Sequence, residues 1–176
     1  MDRELPITEE KTLKGKKGLY RIQDEFFRFW FRFVFPRRGE LEMGRVDEVI
    51  RSIKEDFPQY LGLLYEKIAV ECLWNHMDSF FPFERIGRWW ERNEEIDVVG
   101  VNKQQNSILF GEVKWSEKPV GIDVYENLKG RSKKVQWGNE GRKEYFCLFS
   151  KKGFTENMMK VAKEDGVKLF KEDKPV

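Results

Sequence analysis

The hydrophobic period of the chain changes near residue 80. Before that point apolar residues recur at helical spacing. Val46, Val49, Ile50, Ile53 and Phe57 form one stripe, and Leu61, Leu64, Tyr65, Ile68, Ala69 and Cys72 form a second. Pro58 lies between them, so the pattern predicts two helices, over 46–57 and 59–77, broken at the proline. After residue 80 the period falls towards two. Residues 83–92 read as a strand that Gly87 weakens, and residues 94–102, rich in Val and Ile, read as another. A polar turn, Gln104 to Ser107, then leads into the apolar stretch Ser107–Trp115, which pairs back as a hairpin. Residues 122–137 are amphipathic enough for a helix with Gly130 as its soft spot, and 144–150 is a short apolar strand central to the sheet. Residues 154–165 make a helix capped by Thr155, and 166–171 a last strand. From residue 58 the order is helix, three strands, helix, strand, helix, strand. That order predicts an α/β or α+β layer with one mixed sheet.

The N-terminal third follows a different pattern. Residues 1–20 are polar, and Leu13–Gly18 reads as a flexible or wing-like loop. From Phe26 to Phe35 every residue is apolar except Arg28 and Arg32, which share one face of a helix that Pro36 is expected to stop. A helix that is aromatic almost all round needs burial on several sides. Its rings are expected in a core, completed by a neighbouring domain or a second copy of the chain. The division this suggests is an N-terminal helical segment over 1–57 and a second domain over 58–176.

Composition narrows the function classes. Lys plus Arg total 33 against 31 Asp plus Glu, so overall charge argues for no nucleic-acid partner. Two cysteines, Cys72 and Cys147, read as buried free thiols in a reducing compartment, and with a single histidine, His76, they exclude a Cys/His zinc site within one chain. His76, near a helix end, reads as a packing or surface residue. No signal peptide opens the chain and no apolar run is long enough to span a bilayer, so the expected location is cytoplasmic, away from membranes. Trp89 and Trp90 are adjacent in a strand, so one is expected to face the core and the other the opposite surface.

The chemistry-bearing residues lie on the predicted hairpin. Glu112 and Lys114, two apart, point to one face at the end of an otherwise apolar strand. Taken alone, such a pair is an ordinary solvated ion pair. In the hairpin, however, Asp97 approaches Glu112, and two carboxylates brought together repel unless a cation sits between them. Oxygen ligands suit magnesium or manganese, which would polarise a phosphoryl oxygen and generate hydroxide from water. Lys114 would position the attacking water or neutralise charge developing on phosphate. On the helix upstream, Glu66 and Glu71 lie at opposite margins of the apolar stripe, and spacing does not choose between them.

This combination, Asp97 in "EEIDVV" and Glu112 and Lys114 in "GEVKW", resembles the PD-(D/E)xK nuclease superfamily, whose restriction-endonuclease-like core runs helix, three strands, helix, strand. The resemblance implies a metal held by Asp97, Glu112 and the backbone of Val113, with Lys114 as the superfamily's lysine and Glu66 as the helical glutamate. Ile96 stands where the name-giving motif has proline. Over nearly the whole chain, "YRIQDEFFRFWFRFVFP", "IGRWWERNEEIDVVGV", "ILFGEVKWS" and "FSKKGFTE" resemble the C-terminal portion of archaeal ATPases of the DEXX-box type, a domain of unknown function placed in the same superfamily. In that light residues 1–38 resemble the tail of a winged-helix region. No G-x-x-x-x-G-K-[ST] occurs, so the chain is expected to hold no ATP site and reads as a truncated relative, a fragment or a separately encoded part.

The implied function is a Mg²⁺- or Mn²⁺-dependent DNA endonuclease, hydrolysing phosphodiester bonds, or a nuclease-like DNA-binding domain. The alternative is a catalytically silent interaction or oligomerisation module of an archaeal ATPase system, a homodimer or an ATPase-docking domain that associates through Phe26–Phe35. Two basic regions bear on DNA. Residues 11–38 carry Lys11, Lys14, Lys16, Lys17, Arg21, Arg28, Arg32, Arg37 and Arg38 against Asp24 and Glu25. The helix after the hairpin carries Lys129, Arg131, Lys133 and Lys134, which suit a DNA backbone better.

Overall fold

The computed structural model describes residues 2–9 and 18–176. The loop expected over Leu13–Gly18 lies outside them except for Gly18, as do Lys11, Lys14, Lys16 and Lys17. Flanking that segment, β1 (Asp2–Glu4) and β2 (Leu19–Arg21) pair antiparallel as a small ribbon that the polar composition did not signal.

The aromatic segment is helical but irregular. Helix α1 (Glu25–Phe29) starts at Asp24, whose side chain accepts the Phe27 N–H. A π-helical turn follows over Trp30–Val34, then a 3₁₀ turn over Phe35–Arg37, and the chain runs on into α2 (Arg38–Glu42). Pro36 therefore does not stop the helical path. It sits at the start of the 3₁₀ turn, where a missing N–H costs little. The expectation of a core aromatic helix is corrected as well. Phe33 is 1% exposed and, with Phe29, packs on Phe57 and Tyr60, but Phe26 is 65% exposed and Phe27, Trp30, Phe31 and Phe35 also face outward.

Helix α3 (Val46–Asn75) is unbroken through Pro58, correcting the expected pair of helices. The proline removes one N–H from the ladder. Pro58 and Lys54, whose carbonyl loses that bond, both lie on the exposed side, where water can satisfy the oxygen. The expected domain boundary between residues 57 and 58 thus falls inside one helix.

The six-stranded sheet is ordered β3 (Arg85–Glu91), β4 (Glu94–Asn102), β5 (Ser107–Lys114), β6 (Lys143–Ser150), β7 (Lys168–Lys171) and β8 (Lys174–Pro175). The first three strands are antiparallel, β5, β6 and β7 are parallel, and β8 turns back on β7. The order helix, three strands, helix, strand is therefore the one observed, on a mixed sheet. Helix α4 (Ile122–Ser132) provides the crossover from β5 to β6, and α5 (Glu156–Asp165), capped by Thr155 on the Met158 N–H, connects β6 to β7. One face of the sheet packs Ile108, Phe110 and Leu148 on Tyr125 and Leu128 of α4 and on Met158 and Ala162 of α5. The other packs Leu109, Val113, Cys147 and Phe149 on Tyr65, Ala69, Cys72 and Leu73 of α3. Both cysteines are buried and free. Trp89 belongs to the core, and His76 packs edge-on to Phe170.

Gly111, in the middle of β5, lies between Val98 of β4 and Cys147 of β6. A Cβ there would stand 2.9 Å from Cys147 Sγ and 3.2 Å from Val98 Cβ. Gly111→Ala should destabilise the chain by about 1–3 kcal/mol through overpacking. Thermal denaturation checks this, and an unchanged Tm would contradict the packing described.

Candidate metal centre

The site arises from a fault in the sheet. Along β3 and β4, Gly87 pairs with Val99 but Trp89 pairs with Ile96, so Asp97 and Val98 together oppose Arg88. This is a β-bulge, which places an extra residue on β4 and breaks its alternation. The consequence shows in the packing. Ile96 and Val99 belong to the core under α4 and α5, whereas Val98 belongs to the core under α3. On the other side of β4, the ladder with β5 runs from Asn102–Ser107 only as far as Val98–Gly111. Asp97 and Glu112 would be the next facing pair. Instead the strands part, and Asp97 Oδ2 accepts the Val113 N–H at 2.9 Å. A strand residue points its N–H and C=O to the same side. The Val113 carbonyl therefore opens into the same gap.

Glu112 and Lys114 do share a face, as the period of two requires. Lys114 Nζ lies 2.7 Å from Glu112 Oε1. The second oxygen, Oε2, accepts from the Arg131 guanidinium at 2.7 Å, and Arg131 also donates to the Glu95 carbonyl at 2.7 Å. Glu112 has the parity of Ile108 and Phe110, which face α4, so a side chain in the last turn of α4 reaches it. Glu66 comes from α3 on the opposite face. It lines, with Asp97, Glu71 and Arg88, a cleft of about 420 Å³ between α3, the β3–β4 bulge and the β1–β2 ribbon. Arg88 Nε lies 3.2 Å from Glu66 Oε2, in ion-pair contact without hydrogen-bond alignment, and Arg88 also donates to Glu95 Oε2 at 3.1 Å. Both helical glutamates of the sequence reading line this cleft. Glu66 is the more buried and ion-paired of the two, whereas Glu71 is exposed.

Asp97 and Glu112 are 8% and 3% exposed. Burial, followed by the Glu112 charge, pushes the Asp97 carboxyl up to about 6, against the pull of the Val113 N–H, Lys114 and Arg88. Burial pushes Glu66 up to about 7, with Arg88 opposing and Asp97 adding to it. Burial works against the Lys114 ammonium, but the Glu112 carboxylate more than offsets it and raises the pKa above that of an ordinary lysine. Three carboxylates, Glu66, Asp97 and Glu112, thus face three cations, Arg88, Lys114 and Arg131. Among the described residues no group of three or more His, Cys, Asp or Glu side chains converges as a ligand cluster. At the gap Asp97 accepts the Val113 N–H and feels the Glu112 charge, and Glu66 is held on the α3 side by Arg88. As a donor set, two carboxylates and a carbonyl are hard oxygen ligands of the kind magnesium and manganese take.

The helix expected to carry four DNA-facing cations ends at Ser132, so Lys133 and Lys134 lie past it, and the four are largely engaged within the chain. Arg131 holds Glu112, Lys129 lies 3.5 Å from Asp165 and over the Tyr125 ring, and Lys134 lies 2.5 Å from Glu94. Lys133 is exposed at the C-cap. Sequence reasoning did not identify Arg88 or Arg131 as partners of the carboxylates. Both are tertiary contacts: Arg88 lies in the middle of β3 and Arg131 in the last turn of α4, and nothing local in the sequence marks their partners.

A family model describing archaeal and bacterial proteins of unknown function, DUF234, matches residues 30–131. The chain belongs to this family. An uncharacterized protein of Methanocaldococcus jannaschii, MJECL04, is 41% identical over 157 residues, which is 86% of this chain and 34% of that protein. The chain thus spans about a third of that relative's length. A repair endonuclease from Pyrococcus abyssi superposes with a TM-score of 0.39 and 18% identity, over 63% of this chain and 47% of that one. A likeness at that level decides nothing about this chain. No helix of the described residues is long and apolar enough to cross a membrane.

The raised Glu66 carboxyl makes stability depend on pH. Below about 4.5, its unfolded value, both states are protonated. Between there and about 7 the folded state holds the proton that the unfolded state has lost, so stability falls as pH rises through this window. Glu66→Gln removes that loss. Its Tm relative to wild type should climb from pH 4.5 to pH 7 and stay high above it. Parallel Tm curves for the two proteins would contradict the burial argument.

Proposed function

We propose that the gap between β4 and β5 binds a divalent cation and that the chain is a metal-dependent nuclease domain acting on DNA phosphodiesters. One observation carries the reading: two buried carboxylates, Asp97 and Glu112, lie where β4 and β5 part, Asp97 bonded to the Val113 N–H and Glu112 to Lys114. Asp97 Oδ1, the Glu112 carboxylate and the Val113 carbonyl would hold the ion, and Glu66 lies across the cleft from Asp97. When bound, magnesium or manganese supplies Lewis-acid polarisation of a phosphoryl oxygen and a more acidic water. Lys114 keeps its proton at neutral pH, so its part is to neutralise charge developing on the phosphate rather than to accept a proton. Lys129, Lys133 and Lys134 at the end of α4 would flank the DNA backbone.

The direct test is cleavage of supercoiled and branched DNA with Mg²⁺ or Mn²⁺. Asp97→Ala and Lys114→Ala should each lose on the order of 100-fold or more in rate. Equal cleavage by wild type and both variants would remove the site from the mechanism.

A second reading is favoured by the outward rings Phe26, Phe27, Trp30, Phe31 and Phe35, which with Tyr20, Met43, Val46 and Ile50 give the N-terminal segment many exposed large apolar side chains. Such a face supports self-association into a homodimer, or docking to the ATPase portion that the resemblance implies. Light scattering should then find a concentration-dependent dimer that Phe31→Glu dissociates. A monomer at every concentration would count against self-association and leave the ATPase portion as the occupant to test by titration.

A further inference from the structure

Glu112 is almost fully buried, and both its oxygens are already engaged, Oε1 by Lys114 and Oε2 by Arg131, each at 2.7 Å. Lys114 belongs to the same strand, two residues away. Arg131 belongs to another element, and the contact depends on how its long side chain is posed. That pose has a second anchor. The guanidinium also donates to the Glu95 carbonyl at 2.7 Å, and Nε to Asn127 O at 3.4 Å. Arg131 can therefore leave Oε2 and stay tethered at the mouth of the gap. Two features make the movement easy. The side chain is 20% exposed, bordering solvent instead of being locked in the core. It also follows Gly130 in the last turn of α4, where an added Cβ would meet nothing within 4 Å, so the glycine loosens the helix end without serving any packing.

We propose that Arg131 is a displaceable counter-ion: it holds Glu112 in the metal-free protein and competes with a divalent cation for that carboxylate. The proposal rests on the reading of the gap as a cation site. A guanidinium and a divalent ion on one carboxylate are like charges in a poorly solvated place, so each lowers the other's affinity. In the empty site Arg131 spares the chain an uncompensated buried carboxylate. In the loaded site it moves off Oε2 and stands at the gap's edge, where a bidentate guanidinium suits an incoming phosphate.

The test is calorimetric titration with Mn²⁺ of wild type, Arg131→Gln, Arg131→Lys and Glu112→Gln. Arg131→Gln should bind Mn²⁺ about tenfold more tightly than wild type. Arg131→Lys keeps the charge and should bind close to the wild-type affinity, and Glu112→Gln should lose binding. On the wild-type protein, phenylglyoxal should label Arg131 faster with Mn²⁺ than in chelator, a readout that needs no variant to fold. Equal or weaker binding by Arg131→Gln, with binding still abolished in Glu112→Gln, or labelling unaffected by Mn²⁺ in a protein that binds it, would overturn the counter-ion role and leave the metal site standing. No Mn²⁺ binding by either wild type or Arg131→Gln would overturn both.

Discussion

Where β4 and β5 part, the Val113 N–H is left without a strand partner, and Asp97 Oδ2 supplies the acceptor at 2.9 Å. A buried N–H without an acceptor costs about 1–3 kcal/mol, so this bond holds the strands at a fixed separation. The rest of the site follows from it. The bulge opposite Arg88 turns Asp97 towards the gap. The end of β5 stays in register with β6, Glu112 beside Leu148 and Lys114 beside Ser150, so the Glu112–Lys114 pair is presented on a rigid strand. One side of β5 is pinned by β6, and on the other the ladder with β4 ends at Val98–Gly111, just before Asp97 and Glu112.

Charge at the gap is balanced within the chain, and the balance has a direction. Burial leaves Asp97 and Glu66 reluctant to ionise, pushed up to about 6 and about 7. Arg88 opposes that cost at both groups, and Arg131 holds Glu112 from the opposite face of the sheet. Arginines in contact with buried carboxylates stabilise a metal-free site and also compete for it. On the proposed reading the same contacts would serve folding and oppose loading, and divalent cations would act by exchange with Arg131 on Glu112.

Much of the fold was legible because its strands are short runs rich in Val, Ile and Phe, bounded by polar turns and read at a period of two. Residues 94–102 and 107–114 could be placed as a hairpin on that ground, and the shared face of Glu112 and Lys114 follows from the same period. The bulge was not legible, since an extra residue in a run as apolar as "IDVVGV" leaves no mark in composition. Pro58 misled because proline breaks an average helix, whereas here its lost bond falls on the solvent side. The aromatic segment carries rings on every face, so periodicity could not say which would be covered, and Phe33 alone among Phe26, Phe27, Trp30, Phe31, Phe33 and Phe35 is buried. Arg131 read as a DNA-facing cation because its partner lies 19 residues away on another element.

The most direct measurement of the central claim is anomalous diffraction from crystals soaked in Mn²⁺. The account predicts one peak at the β4–β5 gap, touching the Asp97 and Glu112 carboxylates and the Val113 carbonyl, with Arg131 moved off Glu112. Strong diffraction with no peak at the gap, or a peak elsewhere while Arg131 still holds Glu112, would contradict it.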